Sequence, residues 1–427
     1  MNLIRKLRGV FYGWWIVAAS FILYTFVGGI GVYGFSAFFK YITQETGWGA
    51  AETSLAYSLR SVEGGVIQPV IGFIVDRFGP RKCILAGIVI IAVSLYYLGR
   101  VNTLVSFYVV TVILAVGTSA GLSVAQYASV ANWFRRRRSL ALGILSAGYG
   151  MSGIMTPILV FLIHTYGWRG SLTRLGFAVL ALGVPLSFVV RHRPEPYGYL
   201  PDGDKSSKPP VDASPIKRQD SPNSGLTVRE CLKTRTFWLL TSFNFFTSFA
   251  QSAIMVHEMP YLTSIGISEN VAAYTMFGIT ASSLIGRVGF SCLGDTYDKK
   301  KLIIIAAAME SAGFFIFAYI RSAWMIVPFL LLYGPGFGAP IPLIPAIQAD
   351  CFGTKAFGAL RGIMAFGWTV PGIFAPYFAG LVYDARGSYT LSFTIFAILC
   401  ACAIPVMMAV KMPPRAADSP VGKVSHS

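Results

Sequence analysis

Apolar side chains in this chain are grouped in long unbroken runs separated by short polar stretches. A helix of about 20 apolar residues crosses roughly 30 Å of hydrocarbon. A membrane β-barrel would instead show segments of about ten residues with alternating polarity. The pattern therefore predicts an all-α integral membrane protein with twelve transmembrane helices, here called spans 1 to 12. Their expected residues are 12–40, 51–75, 82–100, 104–133, 139–165, 171–191, 236–263, 270–293, 301–320, 323–349, 357–383 and 389–411.

The charge of the chain is unusual for a membrane protein and could suggest a nucleic-acid partner. Of 427 residues 55% are hydrophobic and 12% charged, with a net charge of +17. The basic residues, however, lie in alternate short loops, such as Arg135–Arg138 and Lys299–Lys301. That distribution is typical of the positive-inside rule. It predicts no nucleic-acid partner, a bacterial-type inner or plasma membrane, and both termini in the cytoplasm.

The two halves of the sequence resemble one another at a shift of 219 residues. Matching pairs in the same order are Gly47 and Gly266, Asp76 and Asp295, Lys82 and Lys301, Gly117 and Gly336, Gly143 and Gly362, Gly148 and Gly367, Gly153 and Gly372, and Pro157 and Pro376. Six spans on each side have the same orientation, which indicates parallel repeats. The expected division is a six-helix bundle over 1–191, a cytoplasmic linker over 192–235, a second bundle over 236–411 and a cytoplasmic tail over 412–427.

The linker, residues 192–235, is rich in Pro, Ser, Gly and charged residues. Such a segment is expected to be flexible and unable to bury apolar area.

Enzyme chemistry has little support in the sequence. The six cysteines are scattered, the four histidines form no cluster with metal-ligand spacing, and no glycine loop for a nucleotide is present outside apolar helices. We therefore expect no enzyme, no metal and no cofactor. An anion receptor that does not transport is a weaker alternative, because the sequence shows no soluble signalling domain.

One loop carries a family resemblance. "GFIVDRFGPRK" (Gly72 to Lys82) resembles the loop between spans 2 and 3 of the major facilitator superfamily, and "SCLGDTYDKKK" (Ser291 to Lys301) is its second copy. The acids and bases of these loops can pair with opposite charges or helix ends and so hold one conformation. We expect a conformational latch formed by Asp76, Arg77, Arg81 and Asp295.

Finer motifs resemble the monocarboxylate transporters and the oxalate/formate antiporters. They are "FYGWWIVAASF", "YGFSAFFK", "ANWFRRRRSLALGI", "HEMPYLTSIGIS" and "DCFGTKAFGALRGI". The resemblance implies a secondary transporter of a small, lactate-like monocarboxylate, coupled to protons, whose halves rock around a central site. Carboxylate exchange is the alternative. The implied partners are the carboxylate, protons and the lipid bilayer, and the chain is expected to work as a monomer.

Arg287 lies in the apolar segment "ITASSLIGRVGF", about eight residues or roughly 12 Å of helix before Asp295. Charged residues at this depth are rare and usually face a cavity or a partner. The resemblance implies an arginine in span 8 that binds the substrate carboxylate, and a guanidinium can do so through two parallel hydrogen bonds. The alternative is that Arg287 pairs with a protein acid or caps backbone carbonyls. Its repeat partner, Gln68, is also polar.

The chain departs from proton-linked relatives at two positions. Ser283 stands where they have an Asp one turn before the arginine, and Tyr33 stands where they have a Lys in span 1. Candidates for the missing proton-coupling group are His257, Glu258, Glu63 and Glu310. Glu63 is also spaced to pair with Arg60 on one helix, and Glu310 is expected to belong to scaffold packing.

Further candidates for substrate contacts are polar residues inside the spans: Gln126, Tyr127, Tyr33 and His257. Gln126 and Tyr127 could equally serve as contacts between helices.

The oxalate/formate antiporters carry a second cation in span 11, whereas "MAFGWTVPGIFAPYFAG" (Met364 to Gly380) has none. A single central cation favours a monoanion.

Overall fold

The structure, a computed structural model, describes residues 11–48, 65–203 and 225–412, and nearly all of them are helical. Within these ranges ten helices are long and apolar enough to cross a membrane. They are Tyr12–Gly31, Pro80–Leu98, Leu104–Trp133, Pro157–Val189, Arg235–Ser264, Glu269–Gly294, Lys299–Ala318, Ala323–Phe352, Phe357–Arg386 and Thr390–Met408.

Two more crossings complete the predicted twelve. The helix Met155–Val189 contains Gly167 with φ 68° and ψ 166°, which is not helical, so the chain ends span 5 there and begins span 6. Span 5 itself starts with the helix Arg138–Met151. Residues 65–78 form one helix, which contains the described part of the predicted span 2, residues 65–75, and continues beyond it into the predicted loop that contains Asp76. The prediction of an all-α protein with twelve transmembrane helices is confirmed.

Helix ends follow the local sequence. Thr103 and Thr234 cap the starts of spans 4 and 7 with their hydroxyls, and Asp298 caps the start of span 9 with its carboxylate. Gly47 and Gly266, repeat partners at the 219-residue shift, have φ of +70° and +86°. Only glycine adopts this left-handed conformation without steric cost. The repeat seen in the sequence is therefore also present in the backbone.

Buried apolar side chains form one cluster in spans 1–6, here the N half, and two in spans 7–12, here the C half. Ala346, Ala349 and Phe357 belong to the C half by sequence but are packed into the N-half cluster. The two halves are therefore in direct apolar contact.

Among the described residues, three spans change from α- to π-helical geometry for one turn. The turns are Gly29–Tyr33 in span 1, Ser119–Ser123 in span 4 and Gly286–Phe290 in span 8. Such turns are rare and are often found at functional sites, because they redirect side chains and release backbone carbonyls. The third one contains Arg287.

The start of the linker, residues 191–203, folds back onto the N half and is here called the strap. The Asp202 carboxylate accepts backbone N–H bonds from Arg135 and Arg136 at 3.0 and 2.7 Å. Trp133 donates its indole N–H to the Arg191 carbonyl, and the Arg191 guanidinium lies over two tyrosine rings. The strap thus has a defined structure.

The end of the linker is also folded. Leu226 donates its N–H to the carbonyl of Phe352, and Cys231, in the short helix Val228–Leu232, is fully buried in a C-half cluster. The expectation that 192–235 buries no apolar area is therefore wrong at both ends. Its central part lies outside the described residues.

Candidate functional site

Arg287 lies at the contact between the two halves. Its side chain is 3% exposed, and one guanidinium N–H donates to the carbonyl of Ser146 in span 5 at 2.7 Å. The rings of Tyr149 and Phe337 each lie 5.9 Å from the guanidinium carbon. A backbone carbonyl of the opposite half is therefore one of its partners in this conformation.

A second arginine, Arg361, stands in span 11 close to the same place. The prediction of a single central cation is wrong, because Arg361 lies in the first turns of the span 11 helix, before Met364. The Arg361 guanidinium lies 4.3 Å from the Tyr127 ring and 5.8 Å from the Trp368 ring. Its Nε is buried and makes no hydrogen bond, and no carboxylate among the described residues pairs with it.

Three tyrosines of the N half surround the two arginines: Tyr24, Tyr127 and Tyr149. The Tyr24 ring lies 6.3 Å from that of Tyr127 and 6.1 Å from that of Tyr149, both edge-on. Both guanidinium groups act electrostatically on the Tyr24 and Tyr127 phenols. Within the described part of the chain, the Tyr24 and Tyr127 hydroxyls make no hydrogen bond.

The chemistry of this cluster is divided between the halves. Both cations, Arg287 and Arg361, belong to the C half, and the tyrosine hydroxyls belong to the N half. Guanidinium groups bind carboxylates in a planar, two-pronged geometry, while phenols donate single hydrogen bonds. The arrangement can therefore bind a small anion between the halves and contact it from both sides. Tyr24 and Arg361 were not anticipated from the sequence, whereas Arg287 and Tyr127 were.

Gln126 and Tyr33 do not add described contacts to this cluster. Gln126 is fully buried, and its amide donates to the Gly121 carbonyl at 3.1 Å, inside its own span. It therefore satisfies a carbonyl of the π-helical turn and stays a substrate candidate only by prediction. Tyr33 ends the π-helical turn of span 1, but its side chain lies outside the described residues.

Two of the proton-coupling candidates, His257 and Glu258, lie in span 7 of the C half. His257 Nε2 is 2.8 Å from the Pro376 carbonyl in span 11, and its ring is 5.2 Å from that of Tyr389. Glu258 is 1% exposed, and neither of its carboxyl oxygens has a hydrogen-bond partner among the described residues. Glu63 lies outside the described residues.

The two acids of the predicted latch bind the opposite half in the same way. Asp76 accepts the backbone N–H bonds of Gly358 and Ala359, at the start of span 11, at 2.9 and 2.8 Å. Asp295 accepts those of Ser139 and Leu140, at the start of span 5, at 2.9 and 3.1 Å. The acceptors and the donors are each 219 residues apart. Each carboxylate meets the N-terminus of a helix, where negative charge is stabilised.

Burial counteracts this stabilisation. It raises the pKa of Asp76 from 3.8 to about 6, although the N–H groups of Ala359 and Gly358 lower it. Burial likewise raises the pKa of Asp295, against the N–H groups of Leu140 and Ser139. Both acids therefore bind a proton more readily in this conformation than in water.

The arginines expected in the latch do not take part in it here. Arg77 lies over the ring of Phe78, its neighbour, and Arg81 lies over the Phe188 ring within the N half. Neither forms an ion pair within the described ranges. That part of the latch prediction is wrong for this conformation.

An ion-pair triad takes their place. Asp350 at the end of span 10 binds Arg138 of the N half at 2.6 Å and Lys299 of span 9 at 2.7 Å. The Arg138 side chain is 10% exposed and also donates to the Phe134 carbonyl. Arg138 and Lys299 had been interpreted as orientation signals alone. The signal that could have revealed them is Asp350, an acid at the end of an otherwise apolar span.

Comparison with known proteins places these features in a family. The chain matches the family model described as Major Facilitator Superfamily over residues 21–291 and 244–426. It is 29% identical over 316 residues to monocarboxylate transporter 12 of Rattus norvegicus, a match that covers 68% of this chain and 63% of the relative. For monocarboxylate transporter 12 of Homo sapiens the identity is 27% over 418 residues, covering 90% and 77%.

Solved structures show the same fold. The proton:xylose symporter XylE superposes with a TM-score of 0.75 at 14% identity, covering 94% of this chain and 96% of that one. The fucose:proton symporter FucP of E. coli gives 0.72 at 15% identity, covering 93% and 98%. With the family model matching most of its length and the fold agreeing, the chain belongs to the Major Facilitator Superfamily and is a multi-pass membrane protein.

Proposed function

We propose that this protein carries a small carboxylate anion across the membrane by alternating access, with the anion bound between the halves. The observation that carries the proposal is the pair of buried arginines, Arg287 and Arg361, opposite the tyrosines of the N half. The names of the relatives, monocarboxylate transporters, support a monocarboxylate such as lactate.

Binding and movement are coupled in this geometry. In the described conformation Arg287 bridges to the Ser146 carbonyl of the N half. A bound carboxylate competes for the same N–H groups and replaces a neutral acceptor with a charged one, which makes a stronger hydrogen bond. The anion therefore weakens one contact between the halves while it forms others to the tyrosines. We expect this exchange of partners to start the rocking motion.

Two transport modes remain to be separated. Proton-coupled uptake of a monocarboxylate is our leading proposal. Exchange of carboxylates, including a dicarboxylate, is the second, and Arg361 favours it because a second guanidinium can neutralise a second negative charge. The basic loops beside Asp76 and Asp295 support a cytoplasmic location for the latch and for both termini.

The first experiment measures labelled L-lactate uptake into proteoliposomes with and without an inward proton gradient. Uptake that the gradient stimulates supports symport, and uptake that requires carboxylate loaded inside supports exchange. Unlabelled monocarboxylates and dicarboxylates are then compared as competitors. No carboxylate transport in either mode by correctly folded protein refutes the proposal.

Arginine variants test the site itself. A hydrogen bond to a charged group contributes about 1.5–3 kcal/mol, so loss of one guanidinium weakens binding roughly 10- to 150-fold. We expect Arg287→Gln to weaken every carboxylate, and Arg361→Gln to weaken dicarboxylates most. Arg81→Gln removes an arginine that lies over the Phe188 ring within the N half and serves as the control. Unchanged affinity in Arg287→Gln contradicts the assignment of the anion site.

A further inference from the structure

Glu310, in the middle of span 9, is a buried acid that the anion site does not use. Its side chain is fully buried. One carboxyl oxygen accepts a hydrogen bond from the Gln251 amide of span 7 at 2.9 Å. The other oxygen is buried and makes no hydrogen bond to a described residue. No lysine, arginine or histidine in the described ranges forms an ion pair with it.

An ionised carboxylate in such a place is costly, because burial removes its hydration and one neutral amide does not replace it. The groups that face Glu310 from the packed spans are Gln251, Tyr333 of span 10 and Cys400 of span 12. None of them carries a positive charge. The surroundings therefore favour the neutral acid, with its proton on the oxygen that Gln251 does not contact.

A row of packed side chains leads from Glu310 to the anion site. Gly336 packs directly against the backbone of Glu310, and Tyr333 lies on the same turn of span 10. The Tyr333 ring stacks on that of Phe337 at 5.9 Å with an angle of 4° between the planes. The Phe337 ring in turn lies 5.9 Å from the guanidinium of Arg287. A movement of Arg287 on anion binding therefore reaches span 10 and the side of Glu310.

Gln251 provides the connection to the other side. It is half-buried on span 7, while Glu310 behind it is fully buried. A shift of span 7 relative to span 9 opens the hydrogen bond between them and admits water to the carboxyl group. Glu310 can thus exchange a proton only when the packing of the C half changes.

We propose that Glu310 carries the proton that accompanies the anion. On the outer side hydronium transfers a proton to the Glu310 carboxylate and leaves water. When the inward-facing conformation admits water, the O–H bond of Glu310 breaks, and that water takes up the proton as hydronium. No other reactant is needed. This inference rests on the proposed carboxylate transport, and it assigns the role that Ser283 cannot fill.

Glu258 is the matched comparison. It is equally buried on the C half, but its oxygens make no hydrogen bond in the described part of the chain. A general effect of removing a buried acid would appear in both Glu258→Gln and Glu310→Gln. A specific role in coupling appears only in the second.

The test uses full-length protein in proteoliposomes and two transport modes. Glu310→Gln keeps the size of the side chain and an oxygen for Gln251. We expect it to lose all stimulation of L-lactate uptake by an inward proton gradient, while exchange of labelled for unlabelled lactate at equal pH stays within about twofold of wild type. Glu258→Gln is expected to keep the stimulation. Stimulation retained in Glu310→Gln, or lost in Glu258→Gln alone, overturns the proposal.

Infrared spectroscopy separates this inference from the proposed function. The wild-type minus Glu310→Gln difference spectrum is expected to contain the C=O band of a protonated carboxylic acid, which does not depend on any substrate. If the wild type transports no carboxylate, the proposed function fails, and the band still decides whether Glu310 holds a proton. Absence of the band overturns the inference. Loss of exchange as well as stimulation in Glu310→Gln, with an unchanged melting temperature, shows a packing role and also overturns it.

Discussion

The ion pair between Asp350 and Arg138 is the contact between the halves that a single substitution tests most directly. Asp350→Asn keeps the shape of the side chain and removes its charge. The bond to Arg138 spans the two halves, whereas the bond to Lys299 lies within the C half. Only the bond to Arg138 is broken when the latch opens, so only this bond affects the conformational equilibrium.

The expected size follows from burial. Breaking a fully buried pair by removing one partner costs about 3–5 kcal/mol, and an exposed pair contributes at most about 1 kcal/mol. The side chains of Arg138 and Asp350 are 10% and 24% exposed. We therefore expect the latched conformation to lose about 2 kcal/mol, which shifts the equilibrium roughly 30-fold towards the open form.

The assay is the distance between spin labels at Arg77 and Lys301, which are exposed near the latch on opposite halves. The exposed Cys292 is first replaced by Ser. Asp350→Asn is expected to increase the population with the longer distance. Glu45→Gln breaks an ion pair with Arg169 inside the N half and should leave the distances unchanged.

A double-mutant cycle refines the test. If the pair acts as one contact, adding Arg138→Gln to Asp350→Asn produces little further shift. An unchanged distance distribution in Asp350→Asn, or fully additive shifts in the double variant, refutes the reasoning that this pair holds the halves together.

Two further predictions use the same labels. Burial raises the pKa of Asp76 from 3.8 to about 6 in the latched form, so that form binds the proton more strongly, and its advantage is fully present below pH 3.8 and is lost as the pH rises through 6. When the pH is lowered from 7 to 5, we expect the equilibrium to shift roughly tenfold towards the latched form. Asp76→Asn should abolish this shift. In Gly143→Ala the new methyl group meets the Arg287 carbonyl and the Ser291 side chain, so the latched form should lose about 1–3 kcal/mol of stability. Gly289→Ala, whose methyl group meets no atom within 4 Å, should have no effect. Equal behaviour of the two glycine variants contradicts the close approach of spans 5 and 8.

The sequence predicted those features that appear as a contrast with their surroundings. Long apolar runs predicted the twelve spans, and one charge within such a run singled out Arg287. The 219-residue repeat paired Asp76 with Asp295, and the structure places these two acids in equivalent contacts. These features can be recognised because a buried charge or a strained backbone is costly, so the residues that provide it differ in type from their neighbours.

The rest depends on contacts between distant spans. Tyr24 is one aromatic residue among many in apolar helices, and nothing local distinguishes it from a lipid-facing ring. Arg138 is one of four adjacent arginines, and its burial and its contact with Asp350, which separate it from the others, appear only in the structure. Arg361 has a visible signal, a charge inside a predicted span, but it lies in the first turns, before the long apolar stretch that begins at Met364. Pairing between halves is set by tertiary packing, which local sequence does not encode.

The division of the site, with both arginines on one half and neutral hydroxyls on the other, has an electrical consequence. A monoanion bound to Arg287 and Arg361 leaves one positive charge in the site, whereas a dianion leaves none. Moving one elementary charge through a membrane potential of 100 mV changes the free energy by about 2.3 kcal/mol. The voltage dependence of the loaded carrier therefore reports the charge of its cargo, and the current it generates depends on how far the C half moves within the field.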